Sequence, residues 1–150
     1  MINEEFKRAI FEISERMLEN SVKYAITGSA NLALQGIKVP PQDVDIVVFH
    51  EDLQRIIRIF PEYLRSGVRK MESKIGDAWE VLLNIEGVDV QVFAEPSGKY
   101  SRALYDNSFS LDIDDRLIYC LPLEAELKLY RETGRLEKAK MIERFLKNKG

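Results

Sequence analysis

A chain of 150 residues, 45% hydrophobic and 31% charged, is long enough for one domain with a real core and is not disordered by composition. A formal net charge of -3 excludes a broadly basic nucleic-acid surface, though not a local patch, and no apolar run approaches the ~20 residues of a membrane span. The single cysteine, Cys120, excludes an internal disulfide and a Cys-based zinc site; within RLIYCLP it reads as a buried strand thiol. The N-terminus MINEEFKRAI is acidic and amphipathic rather than signal-like, so the expected location is cytoplasmic. Abundant Glu, Lys and Arg with few amides matches a thermophile's composition.

In chain order, Asn3 caps a helix whose first turn carries Glu4 and Glu5, and Phe6, Ile10, Ile13 and Met17 recur at helical spacing over residues 4–20. VKYAIT (22–27) predicts a buried strand. Residues 29–35 predict a short helix ended by Gly36, and IKVPPQ predicts a loop, because Pro40-Pro41 neither continues a helix nor suits a central strand. VDIVVF (44–49) is the second strand, followed by a helix over about 51–63 with His50 as a loop or cap residue. WEVLLNIEGVDVQVFAE reads as a hairpin turning at Glu86-Gly87. Residues 97–106 predict a short helix or ordered loop, and RLIYC another strand. Pro122 opens a helix carrying Leu123, Leu127 and Tyr130 on one side. Thr133-Gly134 breaks it, and a last helix carries Leu136, Ala139, Ile142, Phe145 and Leu146.

The expected fold class is α/β (α+β): a small mixed sheet with flanking helices and a C-terminal helical hairpin. Residues 1–150 read as one domain, with a core over about 22–120 and a helical element over about 122–148.

Chemistry concentrates between residues 27 and 45. A strand that ends in Gly28-Ser29 and turns into a helix leaves backbone N–H groups unpaired beside a small hydroxyl, which is an anion site; it is equally the form of an ordinary turn with Ser29 as cap. Asp43 and Asp45 then alternate on the following strand. Two carboxylates on one face, roughly 7 Å apart, repel unless a cation lies between them, and hard oxygen ligands suit Mg²⁺. Asp112 and Asp114 have the same spacing but lie in polar SLDIDDR without a Gly-Ser turn before them, so they read as a solvated loop or strand edge. In VDVQVF, Asp89 and Gln91 face away from the valines, and Asp89 reaches the same metals if its strand neighbours 44–49; otherwise it is a solvent-facing acid. Tyr100, flanked by Lys99 and Arg102, and Trp79, Tyr105 and Tyr119 supply rings for base stacking or simply core.

The order of these elements resembles the polymerase-β-type nucleotidyltransferase superfamily. GSANLALQGIKVPPQDVDIVV and LPLEAELKLYRETGRLEKAKMIERFL are similar to small nucleotidyltransferases related to abortive-infection toxins and to antibiotic nucleotidyltransferases. The likeness spans about residues 22–147. It implies transfer of an NMP group from an NTP to an acceptor with release of pyrophosphate, supported by Mg²⁺ or Mn²⁺. Asp43, Asp45 and Asp89 would be the catalytic and metal-binding carboxylates, and Gly28, Ser29 and Lys128 the nucleotide-binding residues. The acceptor class stays open between a small molecule, a protein and tRNA. A chain this small points to a second copy or a partner protein completing the site. Val39 and Gln42 stand where many relatives carry an arginine and a Ser or Thr; Lys138 and Lys140 stand where an acid follows the Gly-Arg. These departures motivate an alternative: a binding module of the same fold, weak or inactive in catalysis, acting with a protein partner of the toxin–antitoxin kind.

Overall fold

The structure, a computed structural model, describes residues 2–71, 77–96 and 98–149. Helix α1 (Glu4–Glu19) starts where Asn3 Oδ1 accepts the Phe6 N–H at 2.9 Å, and its apolar stripe buries Ala9, Ile10, Ile13 and Met17. Strand β1 (Tyr24–Thr27) is buried along its length and runs directly into helix α2 (Gly28–Leu34). Strand β2 (Val44–Val48) follows the proline loop.

The helix expected over 51–63 is instead broken into three pieces: a 3-10 turn at His50–Asp52, helix α3 (Leu53–Ile59) and a second 3-10 turn at Pro61–Tyr63. The break is at Phe60, where φ -122 and ψ 49 leave the helical region because the following proline ring crowds that conformation. A two-residue strand β3 (Arg69–Lys70), which carries no hydrophobic pattern, was not legible beforehand. Strands β4 (Trp79–Ile85) and β5 (Val88–Ala94) form the expected hairpin, with positive φ at both Glu86 and Gly87 as a two-residue turn requires.

Helix α4 (Lys99–Asn107) lies in the stretch left between helix and loop; Ser97 falls outside the described residues. Strands β6 (Phe109–Ile113) and β7 (Arg116–Cys120) form a second hairpin. Its turn holds Asp114 and Asp115 at positive φ, the Asp112 carboxylate accepts the Asp115 N–H, and Asp114 pairs with Lys7 at 3.2 Å. The second Asp-x-Asp is thus a strand edge and turn. Helices α5 (Leu123–Glu132) and α6 (Leu136–Lys149) form the C-terminal hairpin.

The seven strands among the described residues make one mixed sheet in the order β3-β4-β5-β2-β1-β7-β6, with β2 parallel to β5, β1 parallel to β7 and the other neighbours antiparallel. Alternation along each strand decides which layer a residue enters. Val44, Ile46, Val48, Val90 and Val92 pack with Ile10, Ile13 and Met17 of α1 and Leu53, Ile56 and Phe60 around α3. Ala25, Val47 and Phe93 face the other way, toward Tyr100 and Leu104 of α4 and Leu129 of α5. A third cluster joins Leu32 of α2 to Leu123, Tyr130, Ala139 and Ile142 of the C-terminal hairpin. Cys120 is buried, and burial pushes its thiol up to about 12.

Candidate active site

The parity that sends Val44 and Ile46 to the α1 layer sends Asp43 and Asp45 to the opposite face. Thr27 is register partner of Asp45 on one side and Gln91 on the other. The turn at Gly28 closes onto this row. Gly28 has φ +74, and a Cβ there would lie 2.6 Å from Asp45 Oδ2, so the carboxylate occupies the space that any side chain would need. A cavity of about 280 Å³ opens above, lined among others by Thr27, Gly28, Asp45, Gln91, Tyr130 and Arg135.

Carboxylates crowd this floor. Burial, the neighbouring Asp43 and then Glu126 push Asp45 up to about 7, with partial relief from Lys138 and Arg135. Asp43 is also raised, by burial first and then by Asp89, and is eased by Lys138. Glu126, from the first turn of α5, is 1% exposed. It accepts the Thr27 hydroxyl and, at 3.2 Å, the Gly28 N–H; burial raises it too. Arg135 in the α5–α6 turn donates to the Tyr100 hydroxyl at 2.6 Å and lies over the Tyr130 ring, 4.6 Å from its centre. The Tyr130 hydroxyl is buried and faces Glu126, but among the described residues no partner meets it at full hydrogen-bond geometry.

These features suit a hard cation with an anionic ligand. The donors are carboxylate oxygens, the glycine cradle leaves no room for a side chain, and an unsatisfied buried hydroxyl borders the same cavity. Among the described residues no three acids or histidines are already grouped to hold a metal ion. That is compatible with Mg²⁺, which is commonly held by one or two carboxylates plus substrate phosphates.

A family model for aminoglycoside-2''-adenylyltransferase matches residues 9–144. The chain belongs to this family. It is a nucleotidyltransferase, moving a nucleoside monophosphate from a triphosphate to an acceptor. Similar solved structures include a candidate nucleotidyltransferase from Thermotoga maritima, 27% identical at a TM-score of 0.77, covering 99% of this chain and 96% of that one. ANT(2'')-Ia, solved with adenylyl-2''-tobramycin, shares the fold at 17% identity and a TM-score of 0.61, over 93% of this chain and 88% of its own. The lincosamide adenylyltransferase LnuA, solved with lincomycin, does so at 19% and 0.61, over 94% and 98%. No curated protein matches the chain significantly.

Within this family member the six residues singled out from sequence divide. Gly28 and Asp45 line the cavity; Asp43 is not in its lining but lies one residue before β2, where its charge is felt at Asp45. Asp89 shares the face, and its charge is felt at Asp43, but its side chain is 60% exposed. It accepts from Asn84 at 3.0 Å and pairs with Arg65 at 2.9 Å, contacts that hold it below the usual carboxylate range. The Ser29 hydroxyl accepts the Gln42 N–H at 3.3 Å and so ties α2 to the loop before Asp43. Lys128 is 80% exposed, pairs with Glu132 at 4.0 Å and lines a neighbouring cavity of about 1140 Å³. It lies two residues from Glu126, about 200° around α5, and therefore points away from the row of acids.

Sequence reading missed Thr27, Glu126, Tyr130 and Arg135. A signal existed for two of them. Leu123, Glu126 and Tyr130 recur at i, i+3 and i+7, so Glu126 is a carboxylate on an otherwise apolar stripe.

Proposed function

We propose that this family member is an ATP-dependent adenylyltransferase whose acceptor is a hydroxyl of a small polar molecule, such as an aminoglycoside. The observation that carries the reading is the cavity where Gly28 closes onto Asp45 while Arg135 and the unsatisfied Tyr130 hydroxyl border the same space. Asp43 and Asp45 would hold Mg²⁺, which supplies charge neutralisation at the transferring phosphoryl group. Arg135 would bind the triphosphate in the role first assigned to Lys128, with Gly28 and Ser29 shaping the turn beneath it.

The acceptor oxygen gives its proton to Asp89 and forms its bond to the α-phosphorus, the bond to the bridging oxygen breaks, and pyrophosphate leaves with that electron pair. Asp89 is the acceptor-side carboxylate, oriented by Arg65 and Asn84 until an acceptor replaces one of them. A larger cavity adjoins the first through Tyr100 and Thr133, which line both, and it lies beyond the end of β5 opposite Asp89.

Calorimetric titration of ATP with and without Mg²⁺, followed by transfer of α-labelled ATP to a panel of aminoglycosides, tests the reading. Metal-dependent ATP binding and a labelled product are expected; an absence of nucleotide binding under both conditions would refute it. The two basic residues separate in the same assay. Arg135→Ala should raise the KM for ATP about tenfold or more, the loss of a charge-assisted phosphate contact, whereas Lys128→Ala should stay within about twofold.

A further inference from the structure

On the reading just proposed, on which this inference rests, Asp45 meets the metal, and something must hold Asp45 in place. Glu126 is buried behind Thr27 and Gly28 of the cavity lining with both oxygens engaged, one by the Thr27 hydroxyl and the other by the Gly28 N–H. A carboxylate 1% exposed is costly to bury, and Leu123 and Tyr130 on the same stripe show that α5 packs with apolar side chains at this face. Packing alone therefore gives no reason for an acid here. The contact it makes does.

Thr27 and Gly28 are the end of β1 and the start of α2, and Thr27 is the register partner of Asp45. Gly28 leaves no space for even a Cβ against Asp45 Oδ2. Any rotation of the Thr27–Gly28 turn consequently moves the surface on which Asp45 rests. Among the described residues, Glu126 is the side chain that bonds to both members of that turn. Glu126 also faces the unsatisfied Tyr130 hydroxyl, whose ring carries Arg135. Residues of the β1 turn and of the α5–α6 turn both line the cavity, and Glu126 bonds to the first and feels the charge of Arg135 in the second.

We propose that Glu126 is a positioning residue for nucleotidyl transfer, clamping the Thr27–Gly28 turn so that Asp45 is presented to the metal. It is not a ligand, since both of its oxygens are committed to the turn. It acts through hydrogen bonds, so glutamine can replace it: the amide oxygen accepts the Gly28 N–H and the amide nitrogen donates to Thr27 Oγ1. Leucine fills the same volume and makes neither bond.

The test compares wild type, Glu126→Leu, Glu126→Gln, Thr27→Val and Asp45→Asn. Each is scored for Mn²⁺ affinity by electron paramagnetic resonance, with and without ATP, and for the rise in melting temperature produced by MgATP over the metal-free protein. Glu126→Leu should fold, as apolar replacement of a buried charge commonly permits, yet lose about tenfold or more in Mn²⁺ affinity together with most of the MgATP-induced rise. Glu126→Gln should stay within about threefold of wild type. Thr27→Val breaks the clamp from the other side and should lose affinity in the same direction, with no further loss when combined with Glu126→Leu.

A Glu126→Leu protein that binds Mn²⁺ and MgATP as wild type does would overturn the proposal. Should that variant fail to fold, wild-type affinity in Thr27→Val would overturn it instead. Asp45→Asn separates the levels. If it binds Mn²⁺ and MgATP normally, the site assignment falls and this inference with it. If Asp45→Asn loses binding while Glu126→Leu and Thr27→Val keep it, only the role of Glu126 is wrong.

Discussion

Asp45→Asn is expected to lower nucleotidyl transfer by about a thousandfold or more while making the metal-free protein more stable at pH 8. The first half follows from the proposed chemistry. An amide keeps the shape of the carboxylate and removes the charge that would hold Mg²⁺ against the triphosphate, an electrostatic contribution of several kcal/mol in a water-poor site. The second half follows from the crowding of Asp45 by burial, Asp43 and Glu126. An acid ordinarily near 3.8 but held at about 7 in the folded chain binds its proton more tightly folded than unfolded. Metal-free stability therefore falls as pH rises from about 4 to about 7, and it stays at the lower level above that range. The uncharged amide of the Asp45→Asn variant removes the fall, a gain on the order of 4 kcal/mol at pH 8 and little at pH 4. Urea denaturation at both pH values, with EDTA and then with Mg²⁺, measures it. Mg²⁺ should stabilise wild type more at pH 8 than at pH 4 and should not stabilise the variant. A variant less stable than wild type at pH 8 in EDTA would contradict the crowding argument.

Gly28→Ala is expected to damage both stability and activity, for two reasons that add. At φ +74 the backbone is in the left-handed region that a Cβ disfavours, and the new methyl would lie 2.6 Å from Asp45 Oδ2. Relief requires either the turn or the carboxylate to move, and Glu126 holds the turn. The expected cost is about 2–3 kcal/mol of folding stability, with a loss of about a hundredfold or more in kcat/KM from a displaced metal ligand. Chemical denaturation and steady-state kinetics on the folded variant check the two separately. Gly87→Ala is the control: it shares the positive φ, +95, but its Cβ would meet nothing within 4 Å, so it should cost about 1 kcal/mol and leave kcat/KM unchanged.

Local sequence determined most of the elements and one face of the site. The Asn3 cap, the stripe through Ile10, Ile13 and Met17, and the turn at Glu86-Gly87 are consequences of neighbouring residues acting over one or two turns of chain, so they were legible. Alternation in VDIVV was enough to put Asp43 and Asp45 on the face opposite Val44 and Ile46, and Gly28 marked the turn. The break at Phe60 was also local, written in Pro61, but it was outweighed by the apolar period on either side.

Tertiary structure decided the rest because those relations join residues far apart in the chain. Parallel pairing of β2 with β5 brings Gln91 beside Asp45, while hairpin partners near β5 turn Asp89 toward Asn84 and Arg65. The docking of the C-terminal hairpin selects which side of α5 meets the β1 turn. It buries Glu126 against residues 98 and 99 positions earlier, leaves Lys128 in the neighbouring cavity and brings Arg135 to the acids. Periodicity fixes the relative angles of side chains on one helix, but only packing sets that helix's rotation against the sheet. That rotation is why the buried glutamate of α5, and not the lysine two residues on, stands beneath the row of acids.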